Sequence, residues 1–413
     1  MNKSEAFCSF CQMSGDKVRM LIAGNGVYIC SDCVDKCQDA IKKHNNEDFS
    51  EDAVEEPQAI ATEEFQHTPR SIRHFLDEYV IGQEESKVAI SVAAYNHYKR
   101  IANPVVDDVE LEKSNILLLG PTGSGKTLIA QSLARCLDVP CVVYDATNLT
   151  EAGYVGEDTD AVISRLLTAA KGDVKRAERG IVFIDEIDKK RGTKSASGGR
   201  DVTGEGVQQS LLRMLEGTEV NIKDKASDNR GQKVNTKNIL FILSGAFVGL
   251  DEMRTGRKGI GFDATSDFDP SAAKKAPSTE HLVKYGLIPE LVGRLPIVSQ
   301  LENLTRDQLV HVLTQPKNAV TKQFKALFKL DGVELNITER ALNAIADRAI
   351  RDKTGARGLR SALERNLTHI QYDLPELVKD GLSTVVLDEG TGDDFIVVLL
   401  NSDNKEIEQL GSA

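Results

Sequence analysis

The chain has 413 residues, 40% of them hydrophobic and 28% charged, an ordinary balance for a soluble globular protein. It is too long for one compact core, so two or three domains are expected. Its 51 Lys+Arg against 63 Asp+Glu leave a net charge of −12, the wrong sign for a protein that grips duplex DNA or RNA by displacing counterions. No apolar run approaches the ~18 residues that span a bilayer. The opening MNKSEAFCSFC is neither basic nor apolar, so no membrane partner and a cytoplasmic location are expected.

In chain order, the first signal is cysteine spacing. Cys8, Cys11, Cys30 and Cys33 form C-x2-C-x18-C-x2-C, in which two tight knuckles each offer two thiolates to a tetrahedral metal. Two disulfides are the alternative, and a reducing compartment disfavours them. Four protein ligands leave no open position, so the expected Zn²⁺ is structural. A module of roughly 40 residues has too small a core to fold by packing alone, and ligation worth ~10 to 16 kcal/mol would hold it together. Cys37, Cys136 and Cys141 lack such spacing and read as small apolar residues. Between residues 7 and 43 the charges roughly balance, while Met20, Leu21, Ile22, Val27, Tyr28 and Ile29 supply apolar surface, so contact with protein is the expected use.

From residue 45 to 64 the chain carries eight acidic side chains and no Lys or Arg. Such a one-signed, apolar-poor stretch cannot offset its ordering entropy and reads as a disordered linker.

Residues 120–127 read GPTGSGKT, a complete phosphate-binding loop. The apolar run 115–119 precedes it, and Leu128, Ile129, Leu133 and Leu137 follow at helical spacing, which supplies the strand, turn and helix context. Gly120, Gly123 and Gly125, with Pro121, Thr122 and Ser124 between them, let backbone N–H groups approach phosphates at a helix N-terminus. Lys126 is expected on the β- and γ-phosphates of ATP, Thr127 on Mg²⁺, and Leu128 beside the nucleotide. Residues 181–186, IVFIDE, read as a buried strand with Asp185 and Glu186 at its carboxyl end. Asp185 would hold Mg²⁺, and Glu186 would polarise the attacking water. Further strands are expected at 141–144 and 239–243, giving an α/β fold, a parallel sheet wrapped by helices.

With these residues the sequence resembles the ClpX family of AAA+ protein unfoldases over nearly its whole length. The matching stretches include LIAGNGVYICSDCVDKC, DEYVIGQEESK, the phosphate loop, TEAGYVGED, IVFIDEIDK, DVTGEGVQQSLL, GLIPELVGRLP and KTGARGLRSALE. The resemblance implies an AAA+ P-loop NTPase core with a small α-rich C-terminal domain and an N-terminal four-cysteine zinc-binding domain. Its expected boundaries are 1–44 for the zinc domain, 45–68 for the linker, 69–300 for the large ATPase domain, 301–400 for the lid and 401–413 for a frayed tail. By resemblance, Val80 and Ile81 contact adenine, Arg357 senses nucleotide from the small domain, and Arg294 is an arginine finger reaching a neighbouring subunit. Gly153, Tyr154, Val155 and Gly156 would form an axial pore loop whose aromatic grips any polypeptide. Residues 192–199, rich in Gly and Ser, would form a second one. Ile260, Gly261 and Phe262 match the tripeptide that docks on a ClpP-type peptidase. The implied partners are a homo-hexamer, that peptidase, and unfolded or tagged proteins with their adaptors, with no nucleic acid. Where the family carries an Arg-Lys-His entrance loop, residues 223–237 read KDKASDNRGQKVNTK, which changes the expected entrance. Ser244 is a candidate polar sensor.

After Arg294 the pattern is mostly helical. Thr305 and Gln308 make a capping box, Ala341, Leu342, Ile345, Ala346 and Ala349 keep helical spacing, and a strand pair is expected at 384–387 and 395–400.

Overall fold

The computed structural model describes residues 7–14, 17–24, 26–45, 66–150, 159–192, 204–222, 231–254, 276–390 and 394–411. The acidic stretch from 46 onward, the expected pore loop 153–156 and the expected docking tripeptide 260–262 lie outside these, as do 193–199 of the second pore loop and 223–230 of the entrance segment. The chain divides into two compact units, Met1–Glu63 and Glu64–Ala413.

In the first unit, β1 (Leu21–Ala23) and β2 (Tyr28–Cys30) pair antiparallel with Leu21 opposite Cys30, and α1 (Ser31–Asn45) follows directly. Cys8, Cys30 and Cys33 are its buried centre, with Val18 and Ile29 packed against them.

The second unit opens with α2 (Pro69–Asp77). The Thr68 hydroxyl accepts from Ser71 N, the Ser71 hydroxyl accepts from Thr68 N, and proline occupies the first turn, where its missing N–H costs nothing. Next come α3 (Glu84–Ala102), a small hairpin of β3 (Val105–Val106) and β4 (Val109–Glu110), β5 (Ile116–Leu119) and α4 (Lys126–Cys136). Then follow β6 (Cys141–Asp145), α5 (Thr159–Ala169), α6 (Val174–Ala177), β7 (Ile181–Asp185) and α7 (Glu205–Glu216). A hairpin of β8 (Glu219–Ile222) and β9 (Gln232–Asn235) leads to β10 (Leu240–Gly245). Three short helices, α8 (Leu250–Arg254), α9 (Thr279–Tyr285) and α10 (Pro289–Gly293), precede β11 (Ile297–Gln300).

These strands build a five-stranded sheet in the order β11-β5-β10-β7-β6, parallel throughout. Alternate residues serve opposite faces, as the two-residue period of a strand requires. Leu117, Leu119, Val182, Ile184, Phe241 and Leu243 join a core with α5, α7, α9 and α10, while Ile116, Leu118, Ile181, Phe183, Leu240 and Ile242 join another with α2, α3 and α4. Both faces of the central strands are therefore covered, which explains why β5, β7 and β10 read as apolar runs rather than alternating ones. β5 lies between β10 and β11, both later in the chain, so the sheet has its topological switch point where β5 ends.

The rest of the unit comprises α11 (Arg306–Thr314), α12 (Val320–Leu330), β12 (Glu334–Ile337), α13 (Glu339–Arg351) and α14 (Ala356–Lys379), then β13 (Leu382–Glu389), β14 (Phe395–Asn401) and β15 (Glu406–Gly411). It has its own core, including all five helical-spacing residues of α13. Thr305 and Gln308 form the expected capping box.

Two expectations need correction. The region after Arg294 also holds the short strands β11 and β12, whose four residues, IVSQ and ELNI, are half polar and make no apolar run. The expected frayed tail is instead β15, which pairs antiparallel with β14, Leu410 opposite Val397. Asn401 supplies the turn: its side-chain oxygen accepts from Asp403 N at 3.0 Å and Lys405 N at 2.9 Å, a local arrangement that a polar, charged tail composition does not advertise.

Candidate functional site

The carboxyl end of β5 delivers the chain into the phosphate loop. Gly120 has φ +154° and Gly123 φ +78°, and a Cβ at Gly123 would lie 2.7 Å from Thr354 O. Any other residue there is strained in backbone and in space. Gly125, also at positive φ, precedes α4 and offers no side-chain cap, so the first N–H groups of that helix are left to face an anion.

Lys126 Nζ donates to Gly120 O at 2.7 Å and Pro121 O at 3.0 Å, which holds the ammonium inside the loop. Burial pushes it below its ordinary pKa, and Arg357 pushes the same way against Asp185, Asp188 and Glu186. Across the sheet, Asp185 is held on both sides. Its Oδ1 accepts from Ser244 Oγ at 2.5 Å and from Glu186 N at 3.0 Å, and its Oδ2 faces Thr127 Oγ1 at 3.4 Å. Glu186 then leaves the strand at φ +58°, a left-handed conformation that costs of order 1 kcal/mol for a residue with a side chain. The Thr127 hydroxyl and the Asp185 carboxylate thus converge, hard oxygens of the kind a divalent cation takes.

Val80 is buried, 4.0 Å from where a Cβ on Gly125 would sit, and Ile81 follows it half-buried. Lys87 Nζ donates to Val80 O at 3.4 Å and pairs with Glu84 at 3.0 Å, which fixes the α2–α3 turn. Leu128 stays 40% exposed on α4, a large apolar side chain beside the phosphate loop. From the C-terminal region, Ala356 N donates to Gly123 O at 3.3 Å, bringing the start of α14 and exposed Arg357 against the loop. A cavity of about 1000 Å³ opens there, lined by residues of the loop and by Phe247, Leu301, Leu309, Ile350 and Lys353. Arg294 lies at the end of α10, half-exposed, and pairs with Glu216 at 2.8 Å.

Several residues at this site escaped the sequence reading. Gln83 Nε2 donates to Glu302 O at 2.9 Å while its Oε1 accepts from Glu302 N at 2.9 Å, stitching the Val80 turn to the link before α11. Asp188 Oδ2 accepts from Phe247 N at 3.1 Å, and a Cβ at Gly245 would strike its Oδ1 at 2.5 Å. Gln208, fully buried on α7, was detectable as a polar residue on that helix's apolar face.

In the first unit the sulfurs of Cys8, Cys11, Cys30 and Cys33 all lie within 4.8 Å of one another. Cys30 N donates to Cys8 Sγ at 3.2 Å, which suits a thiolate. The donor set and its closure fit a tetrahedral zinc ion, and no helix among the described residues is long and apolar enough to cross a membrane.

Comparison with known proteins agrees with this geometry. Residues 6–43 match the family model of the ClpX C4-type zinc finger, 111–298 the AAA domain (Cdc48 subfamily), and 304–376 the C-terminal, D2-small domain of ClpB protein. Over 384 residues, 90% of each chain, the sequence is 47% identical to the ATP-dependent Clp protease ATP-binding subunit ClpX of Treponema denticola. ATP, Mg²⁺ and Zn²⁺ are accordingly its cofactors, ATP hydrolysis its chemistry. The chain belongs to the ClpX family of AAA+ ATPases.

Proposed function

We propose that this chain is the ATP-driven unfoldase of a Clp-type protease: it hydrolyses ATP, pulls protein substrates through a hexameric pore and delivers them to a separate ClpP-type peptidase. Without that peptidase it acts as a chaperone. The observation that carries the reading is Asp185, held between the phosphate-loop hydroxyl of Thr127 and the β10 hydroxyl of Ser244, with Glu186 turned out at positive φ beside it.

Each residue has a task. Backbone N–H groups from Thr122 to Leu128 cradle the phosphates, since Pro121 has none and that of Gly120 serves Gly245 O, and Lys126 leaves its loop carbonyls for the β- and γ-oxygens. Thr127 and Asp185 would hold Mg²⁺, which would supply positive charge against the phosphates. Ser244 fixes the Asp185 carboxylate, and Glu186 takes the proton of the attacking water. Val80 and Ile81 hold the adenine, and Arg357 carries nucleotide state to the small domain. Arg294 completes a neighbour's site, a contribution of ~10³ to 10⁵ in rate when supplied in trans, so turnover requires the ring. Residues 153–156 grip substrate and 260–262 dock on the peptidase. The four cysteines hold Zn²⁺ in a module, 1–44, that meets substrates and adaptors, joined by 45–68 to the ATPase domain 69–300. The lid begins at 301, and the motor works in the cytoplasm.

Glu186→Gln tests the reading: phosphate release should fall by ~10² or more while the ring still binds ATP, and unfolding of a tagged, stable substrate should stop. Unchanged turnover and pulling in that variant would sink it.

A further inference from the structure

Helix α7 touches two functional segments through two side chains two turns apart. At its start, Gln208 is wholly buried and spends both amide donors and one acceptor position on backbone. Its Nε2 donates to Lys190 O at 2.8 Å and Gly286 O at 3.1 Å, and its Oε1 accepts from Ile288 N at 2.8 Å. Lys190 ends the turn that follows Asp185 and Glu186; Ile288 is the N-cap of α10, whose C-cap is Arg294. At the other end of α7, Glu216 Oε1 accepts from Arg294 Nε at 2.9 Å and meets Nη2 at 2.8 Å. Both contacts use one edge of the guanidinium. Nη1 makes no bond among the described residues, and the side chain is 52% exposed.

We propose that α7 is the positioning element for Arg294: Glu216 clamps the Nε–Nη2 edge so that Nη1 faces the neighbouring site, and Gln208 sets the helix carrying Arg294 by the state of the acidic turn of its own site. This rests on the reading of Arg294 as a finger supplied in trans. Physically, a flexible arginine in water loses most of its rotamer freedom when it engages a phosphate, and Glu216 removes part of that cost beforehand. A surface ion pair contributes little to stability, so the role shows in rate rather than in folding. Gln208 is different in kind. A buried amide with three backbone bonds joins two segments rigidly, so a displacement of the Lys190 turn is passed to α10 rather than absorbed.

The test is a double-mutant cycle on the full-length ring, with kcat and KM for ATP measured for Glu216→Ala, Arg294→Ala and the pair. Misplacement of an oriented group costs up to about 10²-fold, so Glu216→Ala should lower kcat roughly tenfold or more with KM unchanged. In the Arg294→Ala background it should do nothing further. Glu216→Gln, which keeps an acceptor at the same place, should recover part of the loss. An unchanged kcat in Glu216→Ala overturns the proposal, as does an equal fall in the Arg294→Ala background, which would mark a structural effect. If Arg294→Ala itself retains full turnover, the finger reading fails first and the proposal with it. For Gln208, Gln208→Glu keeps the acceptor for Ile288 N and removes both donors. It should lower kcat while hexamers and ATP binding persist; full kcat in that variant overturns the Gln208 half.

Discussion

Among the described residues 7–45, the buried centre is three cysteine side chains with Val18 and Ile29 at its rim. In the second unit, two cores sandwich a parallel sheet and a third fills the C-terminal region, with aromatic anchors such as Phe183, Phe241 and Phe328 fully buried. Apolar burial at about 25 cal/mol per Å² can outweigh chain entropy in the second case and cannot in the first. The difference teaches where each unit is vulnerable. The small one depends on four sulfurs and an ion, whereas the large one spreads its stability over dozens of side chains and can therefore tolerate strained residues such as Glu186.

Removing zinc is the harshest test of this contrast. A strong chelator, or Cys8→Ser, should unfold residues 7–45, because ligation worth ~10 to 16 kcal/mol apparent is folding energy there. Backbone amide spectra should lose dispersion for that unit alone, while thermal unfolding of residues 66–411 and basal ATP turnover stay as they were. A small unit that keeps its spectrum without metal would show that packing suffices after all.

The same contrast explains what could be read in advance. The phosphate loop, the acidic strand and the cysteine pairs are contiguous chemistry, so Lys126, Asp185 and Cys8 announce themselves by spacing. Apolar runs mark four sheet strands, three of them (β5, β7 and β10) buried on both faces and β6 at the edge with Val143 exposed. Residues that act through distant partners were silent. Gln83 meets Glu302 219 positions away, and Arg294 meets Glu216 across 78. Nothing in a one-dimensional string marks those pairs. β11 and β15 were missed for another reason: one, IVSQ, is half polar where the equally short β5 reads ILLL, and the other is polar because it is mostly exposed at a sheet edge.

Acid should strike the large unit through a buried imidazole. His97 on α3 has its Nε2 3.0 Å from Asn238 O; a carbonyl only accepts, so Nε2 carries the hydrogen and the buried Nδ1 is left bare. Burial first, and then the Arg100 and Lys113 charges, push its pKa down to about 3. The folded form thus binds fewer protons than the unfolded one, whose value is about 6.5. Stability from this group is complete above about pH 6.5 and is lost at about 1.4 kcal/mol per pH unit as pH falls towards 3. Lys113, pushed by burial to about 7, acts in a separate window: its folded form is short of a proton between about 7 and 10.5, so it raises stability with pH there. His97→Gln should flatten the acid slope by that amount in denaturant titrations at pH 4 to 6. Residues 7–45 should still release their metal as the thiolates protonate. An unaltered slope would mean that His97 titrates normally.

The mildest expected change is at a helix start. Thr305 accepts from Gln308 N at 3.3 Å, and Gln308 Oε1 accepts from Thr305 N at 2.9 Å, so two of α11's orphan donors are satisfied reciprocally. Gln308 also packs close to Gly82: a Cβ there would lie 2.8 Å from its Nε2, so the box stands against the turn that carries Val80 and Ile81. Thr305→Ala should cost about 1 kcal/mol and lower the denaturant midpoint of the large unit without changing the slope m, and Thr305→Ser should restore it. Because the cap belongs to a unit whose stability is spread widely, metal retention by residues 7–45 should not register the change. A shift in zinc affinity on Thr305→Ala would instead mean that the two units fold as one.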